Sequence, residues 1–175
     1  MTPTQRMIRL TLSLGRQRMF STRMLIMLPI LLLFIPGMAW GFADPNIQLP
    51  AEQVPETATE TMFLASIGIV FAGTMAAVLI AHDGISRDRL SGVLEIRLSQ
   101  PMPRWRQGTV LVFGHWMSIA LPVTLLIIVS MILIGYRSDM WIPFADAIVF
   151  IVAAVLVLLW YTVFALLASS IAKEQ

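Results

Sequence analysis

The sequence predicts an all-α protein: a polytopic membrane helix bundle of four transmembrane helices, plus one short amphipathic helix in a cytoplasmic loop. Three observations predict it. First, 58% of the 175 residues are apolar and 13% are charged, with a mean hydropathy of +0.82. Soluble domains run near about 45–50% apolar and about 25% charged, so these charges cannot clothe a water-soluble surface of this size. Second, four stretches carry no formal charge over the ~20 residues that a helix needs to cross a ~30 Å hydrocarbon core. Third, acids and bases alternate between the connecting segments in the manner of the positive-inside rule.

Residues 1–175 read as a single transmembrane domain. Segment 1–23 carries Arg6, Arg9, Arg16, Arg18 and Arg23 and no acid, which places it on the cytoplasmic side. Span 24–43 follows. It is too long for the apolar core of a signal peptide and lacks a clean small-x-small cleavage pattern, so it is expected to be retained. Segment 44–60 carries Asp44, Glu52, Glu56 and Glu60 and no base, and reads as external. Thr57 and Glu60 have capping-box spacing, so the second span, 61–82, is expected to begin just before Thr61. Segment 84–106 carries Arg87, Arg89, Arg97, Arg104 and Arg106 and returns to the inside. Span 107–136 leads to the external segment 137–146, and span 147–172 leads back. Both termini are therefore expected in the cytoplasm, in a cell (inner or plasma) membrane. Pro143 suits a helix start, whereas Pro29, Pro36 and Pro122 fall inside spans and predict kinks.

Several function classes are excluded or disfavoured. A formal net charge of +2, with the arginines gathered beside spans, does not suit a nucleic-acid binder. Without cysteine there is no disulfide framework, Cys-based zinc site or thiol nucleophile. No catalytic residue set and no metal site is expected, because no His-Glu-x-x-His, Gly-x-Ser-x-Gly or other supported nucleophile–base spacing occurs. The single lysine, Lys173, has no Gly-x-x-x-x-Gly-Lys around it, so the chain holds no P-loop. No acid or base lies deep in a span, which counts against a proton- or ion-coupled carrier. His115 is expected to be an interfacial or packing residue, and Thr162 and Tyr161 to bond between helices. In the second span, Gly68, Ala72 and Ala76, with Gly73 and Ala77 beside them, form a small-residue stripe suited to close helix packing.

The informative segment is Gly84–Arg106. Ser86 can cap a helix and Pro101 and Pro103 stop one, so a helix is predicted over Arg87–Ser99. Leu90, Val93, Leu94 and Leu98 share one face. Asp88, Ser91, Gly92, Glu95 and Ser99 share the other. Gly92 costs up to about 1 kcal/mol against Ala in a helix, which points to close approach by another backbone or to a local break. The apolar ridge could lie in lipid headgroups or in the groove of a soluble partner.

The string Arg87-Asp88-Arg89-Leu90-Ser91-Gly92-Val93-Leu94-Glu95-Ile96-Arg97-Leu98-Ser99-Gln100-Pro101-Met102-Pro103-Arg104 resembles the cytoplasmic loop of ABC-2-type transporter permeases. Gly92, Leu94, Glu95, Leu98, Pro101 and Arg104 match that family's pattern. Val93 replaces a common Thr, Arg97 a common aliphatic, and Gly114-His115 a common Gly-Lys. Residues 4–20 look like the family's elbow helix. Residues 99–105 are also similar to permeases of the copper-processing system that matures nitrous oxide reductase.

The resemblance implies the membrane subunit of an ATP-driven exporter, without its own ATPase site. It implies two permease copies, as a homodimer or heterodimer in the lipid bilayer, paired with separate ABC ATPase subunits that bind ATP and Mg. The 87–99 segment becomes a coupling helix. Leu90, Val93, Leu94 and Leu98 would supply apolar contact, Glu95 and the arginines Arg87 and Arg89 would fix register, and Gly92 and Pro101 would shape the loop. Family members normally have six spans, so the four here are expected to be the N-terminal portion of such a permease. The alternative is a non-transporting membrane anchor or scaffold that recruits a soluble partner through the same helix.

Overall fold

A computed structural model describes residues 3–47, 54–82, 84–90, 92–93, 99 and 103–171. Among these all regular structure is helical and there is no strand. The elements are α1 (Pro3–Met19), α2 (Thr22–Phe42), α3 (Ala58–Gly68), a π-helical turn (Ile69–Gly73), α4 (Thr74–Ala81), α5 (Ser86–Leu90), α6 (Arg104–Ser138) and α7 (Phe144–Ile171). Four helical runs are long and apolar enough to cross a membrane: Thr22–Phe42, Ala58–Ala81, Arg104–Ser138 and Phe144–Ile171. Each begins two to three residues before the expected span, because polar or charged residues supply its first turn without breaking the backbone ladder.

The helix ends have local causes. Ser21 opens α2: its hydroxyl accepts from Met24 N at 3.4 Å, and its carbonyl from Leu25 N at 3.0 Å. Thr57 caps α3 by accepting from Glu60 N at 3.2 Å. Glu60 reaches back to Glu56 N at 2.8 Å, one residue beyond the donor that a capping box uses. Pro143 precedes α7 and its carbonyl accepts from Ala147 N at 3.0 Å. The helices run on through Pro29, Pro36 and Pro122.

The chain divides into two compact units, Met1–Leu25 with Met75–Ala120 and Leu158–Gln175, and Ile26–Thr74 with Leu121–Val157. In the first unit, α1 meets α6 at glycine: a Cβ on Gly114 would lie 2.6 Å from Leu14 Cδ2. Ala81, Ala165 and Leu166 form a buried cluster, against which Ile85, Leu111 and Val112 pack.

In the second unit, α2 and α3 approach so closely at Gly68 that a Cβ would sit 2.0 Å from the Phe34 carbonyl oxygen. Lipid tails are as apolar as leucine, so close van der Waals packing of this kind, rather than burial from water, holds such helices together. The π-helical turn directly follows Gly68. Arg137, near the end of α6, bonds Asp44 and lies 4.2 Å over the Trp40 ring. The Asn46 N–H, at 2.9 Å, and the Arg137 guanidinium together hold the Asp44 carboxyl below the usual carboxylate range. Asp139, at φ 54, turns the chain out of α6, a left-handed position that Asp tolerates.

Two buried hydroxyls in the middle of spans bond within their own helix. Ser130 donates to Leu126 O at 2.8 Å and Thr162 to Leu158 O at 2.7 Å. Thr162 therefore does not make the interhelical bond expected of it, because the carbonyl one turn back is always within reach. Tyr161 is exposed.

Candidate functional site

The candidate site is the segment that joins α4 to α6, all of it in the first unit. Leu94, Glu95, Leu98 and Pro101 of the expected contact set lie outside the described residues. Arg87, Arg89 and Leu90 lie on α5, and Gly92 and Val93 follow it.

The helix expected as one piece over Arg87–Ser99 is interrupted. Helix α5 stops at Leu90, Gly92 N donates to Arg89 O at 3.1 Å, and Gly92 stands at φ 69. A left-handed residue ends an α-helix, and glycine adopts that conformation without steric cost. A Cβ built at Gly92 would meet nothing within 4 Å. The glycine is thus used for the turn and not for close approach of another backbone.

The break gives the two sides of the loop different surroundings. Leu90 is 68% exposed and Asp88 only 8%. Val93 is partly buried. Asp88 and Val93 line a cavity of about 550 Å³ with Arg18, Arg23, Ser21 and Ile80. Asp88 thus lies on the face opposite Leu90, as the spacing places it, and that face is buried, with Arg18 and Arg23 lining the same cavity.

The start of the loop is held from two directions. A Cβ on Gly84 would lie 2.8 Å from His115 Nε2 and 3.0 Å from Leu166 Cδ2. His115 is fully buried, and its Nδ1 is 2.8 Å from Leu111 O. A carbonyl only accepts, so Nδ1 carries the hydrogen. From α7, the Ser169 hydroxyl accepts from Ile85 N at 3.2 Å and from Ser86 N at 3.1 Å. Arg89 returns a bond to α7, donating to Ser170 O at 3.4 Å, where the negative end of the helix dipole favours a cation. Nothing in the local sequence marks Ser169 or Ser170 as partners of a loop more than 80 residues away.

The small-residue set Gly68, Ala72, Gly73 and Ala76 is buried throughout. Among the described residues, no group of three or more His, Cys, Asp or Glu side chains could hold a metal ion.

Four long apolar helices joined through a short, clamped loop define a polytopic membrane protein. The family model described as ABC-2 family transporter protein matches residues 14–175, and the chain belongs to that family. It is the permease type of component in an ABC transporter and not the ATPase itself. No curated protein and no solved structure matches it.

Proposed function

We propose that this permease docks a separate ABC ATPase through residues 87–99, and that ATP and Mg bind on that partner. The supporting observation is Leu90, a large apolar side chain left 68% exposed on a loop segment whose neighbours are clamped in place. An exposed apolar residue beside Arg89 suits a protein groove. In this reading Leu94 and Leu98 extend the apolar contact, and Glu95 sets register. Two permease copies, alike or different, work with two ATPase subunits. Both termini and the loop lie in the cytoplasm, as the arginine distribution implies. Export is the direction that the family resemblance implies, and the likeness of residues 99–105 points to a copper-enzyme maturation system as the setting.

Co-purification tests the docking reading. The wild-type chain in lipid nanodiscs should retain its co-expressed ABC ATPase partner and stimulate that partner's turnover, and Leu94→Asp should abolish both. Unchanged co-purification and stimulation in Leu94→Asp would refute it.

A further inference from the structure

We propose that Ser169 is a positioning residue that latches the docking loop to the end of α7, so that displacement of the loop is handed to α7 as well as to α4 and α6. The role in transport rests on the docking reading above. The latch itself rests on geometry alone.

Helix α5 has five residues, too few to be stable by its own hydrogen bonds, so its placement is imposed from outside. A helix is ordinarily capped by a polar side chain immediately before it. Here that position is Ile85, which has no polar side chain. The cap comes instead from Ser169, 2% exposed. A hydroxyl offers one hydrogen and two lone pairs. Ser169 accepts from Ile85 N and Ser86 N and donates to Ser86 Oγ at 3.4 Å, so its whole bonding capacity is spent on the loop. Arg89 adds a bond in the opposite direction, to Ser170 O. Gly84, tight against His115 and Leu166, prevents the loop from sliding along α7. The loop therefore cannot move away from α7 without leaving two backbone N–H groups unpaired.

The chain has no cysteine, so Leu90→Cys and Ile171→Cys give two unique spin-label positions on the exposed sides of the latch. In the full chain in nanodiscs, the inter-label distance should be narrowly distributed. Ser169→Ala should shift the latch equilibrium toward the open loop by about tenfold, through loss of two hydrogen bonds, and broaden the distribution. Ser169→Thr, which keeps the hydroxyl, should restore it. Arg89→Ala, at an exposed position, should broaden it less. With the ATPase added to unlabelled chains that keep Leu90, Ser169→Ala should stimulate turnover less than the wild-type chain does. An unchanged distance distribution in Ser169→Ala, or Ser169→Thr as broad as Ser169→Ala, would overturn the latch. Failure of the unlabelled wild-type chain to bind the ATPase would refute the docking reading, while the distance measurement still decides the latch.

Discussion

The two units are held by different chemistry. The first holds its loop with neutral hydrogen bonds to a buried serine and with side chains packed against glycine. The second ties Asp44 to Arg137 and covers the guanidinium with Trp40, at groups that water reaches. Neutral, buried contacts are directional and indifferent to salt, whereas an exposed ion pair is screened and contributes little. The unit with the directional contacts carries the segment proposed to dock the ATPase. The unit with the ion pair also contains the close backbone approach at Gly68. Rigidity there comes from packing, and the charges add a small increment.

The largest effect is expected at Gly68. Gly68→Ala sets a methyl against backbone carbonyl atoms, which cannot swing aside, and should cost about 3 kcal/mol or more. Thermal unfolding in detergent, followed by tryptophan fluorescence, should show the drop, and an unchanged midpoint would contradict the close approach. Gly84→Ala should cost less, about 1–3 kcal/mol, because the two nearest atoms it meets belong to the His115 and Leu166 side chains and not to backbone. It should also impair ATPase stimulation more than its stability cost accounts for, since it disturbs the latch.

The smallest effect belongs to Asp44. Its carboxyl titrates below the ordinary 3.8, so its stabilising increment is complete above that pH. The increment is lost as pH falls through the lower folded-state value. The midpoint difference between the wild-type chain and Asp44→Asn should therefore begin to shrink as pH falls below about 3.8, vanish only below the lower folded-state value, and vanish also at high salt. A difference that persists in acid would mean that the ion pair is not its source.

Much of this fold was legible because lipid imposes simple rules. Span length and the run of arginines locate the four long helices to within three residues. The fold class, the capping role of Thr57 and the helix start after Pro143 follow from local chemistry. The π-helical turn was not legible, since Ile69–Gly73 is an ordinary apolar run whose altered hydrogen bonding leaves no mark in composition. Gly92 signalled a break or a close approach, and only three-dimensional placement separates the two. Amphipathic spacing set Asp88 and Leu90 on opposite faces, and one is buried and the other exposed, but it assumed one uninterrupted helix, which the turn at Gly92 breaks. Ser169 and Ser170 lie near the end of the expected span 147–172, with no local pattern to set them apart. Their bonds to Ile85, Ser86 and Arg89 depend on folding that no local pattern encodes.

The central claim is that the partner ATPase is received at the α5 loop of the first unit. Because the chain is free of cysteine, Leu90→Cys in the first unit and Phe144→Cys in the second each supply one thiol at a well-exposed position. The most direct measurement is short-arm crosslinking of each variant to the co-expressed ATPase in membranes. The account predicts a crosslinked species from Leu90→Cys and none from Phe144→Cys. Crosslinking from Phe144→Cys alone, or equally from both, would contradict it.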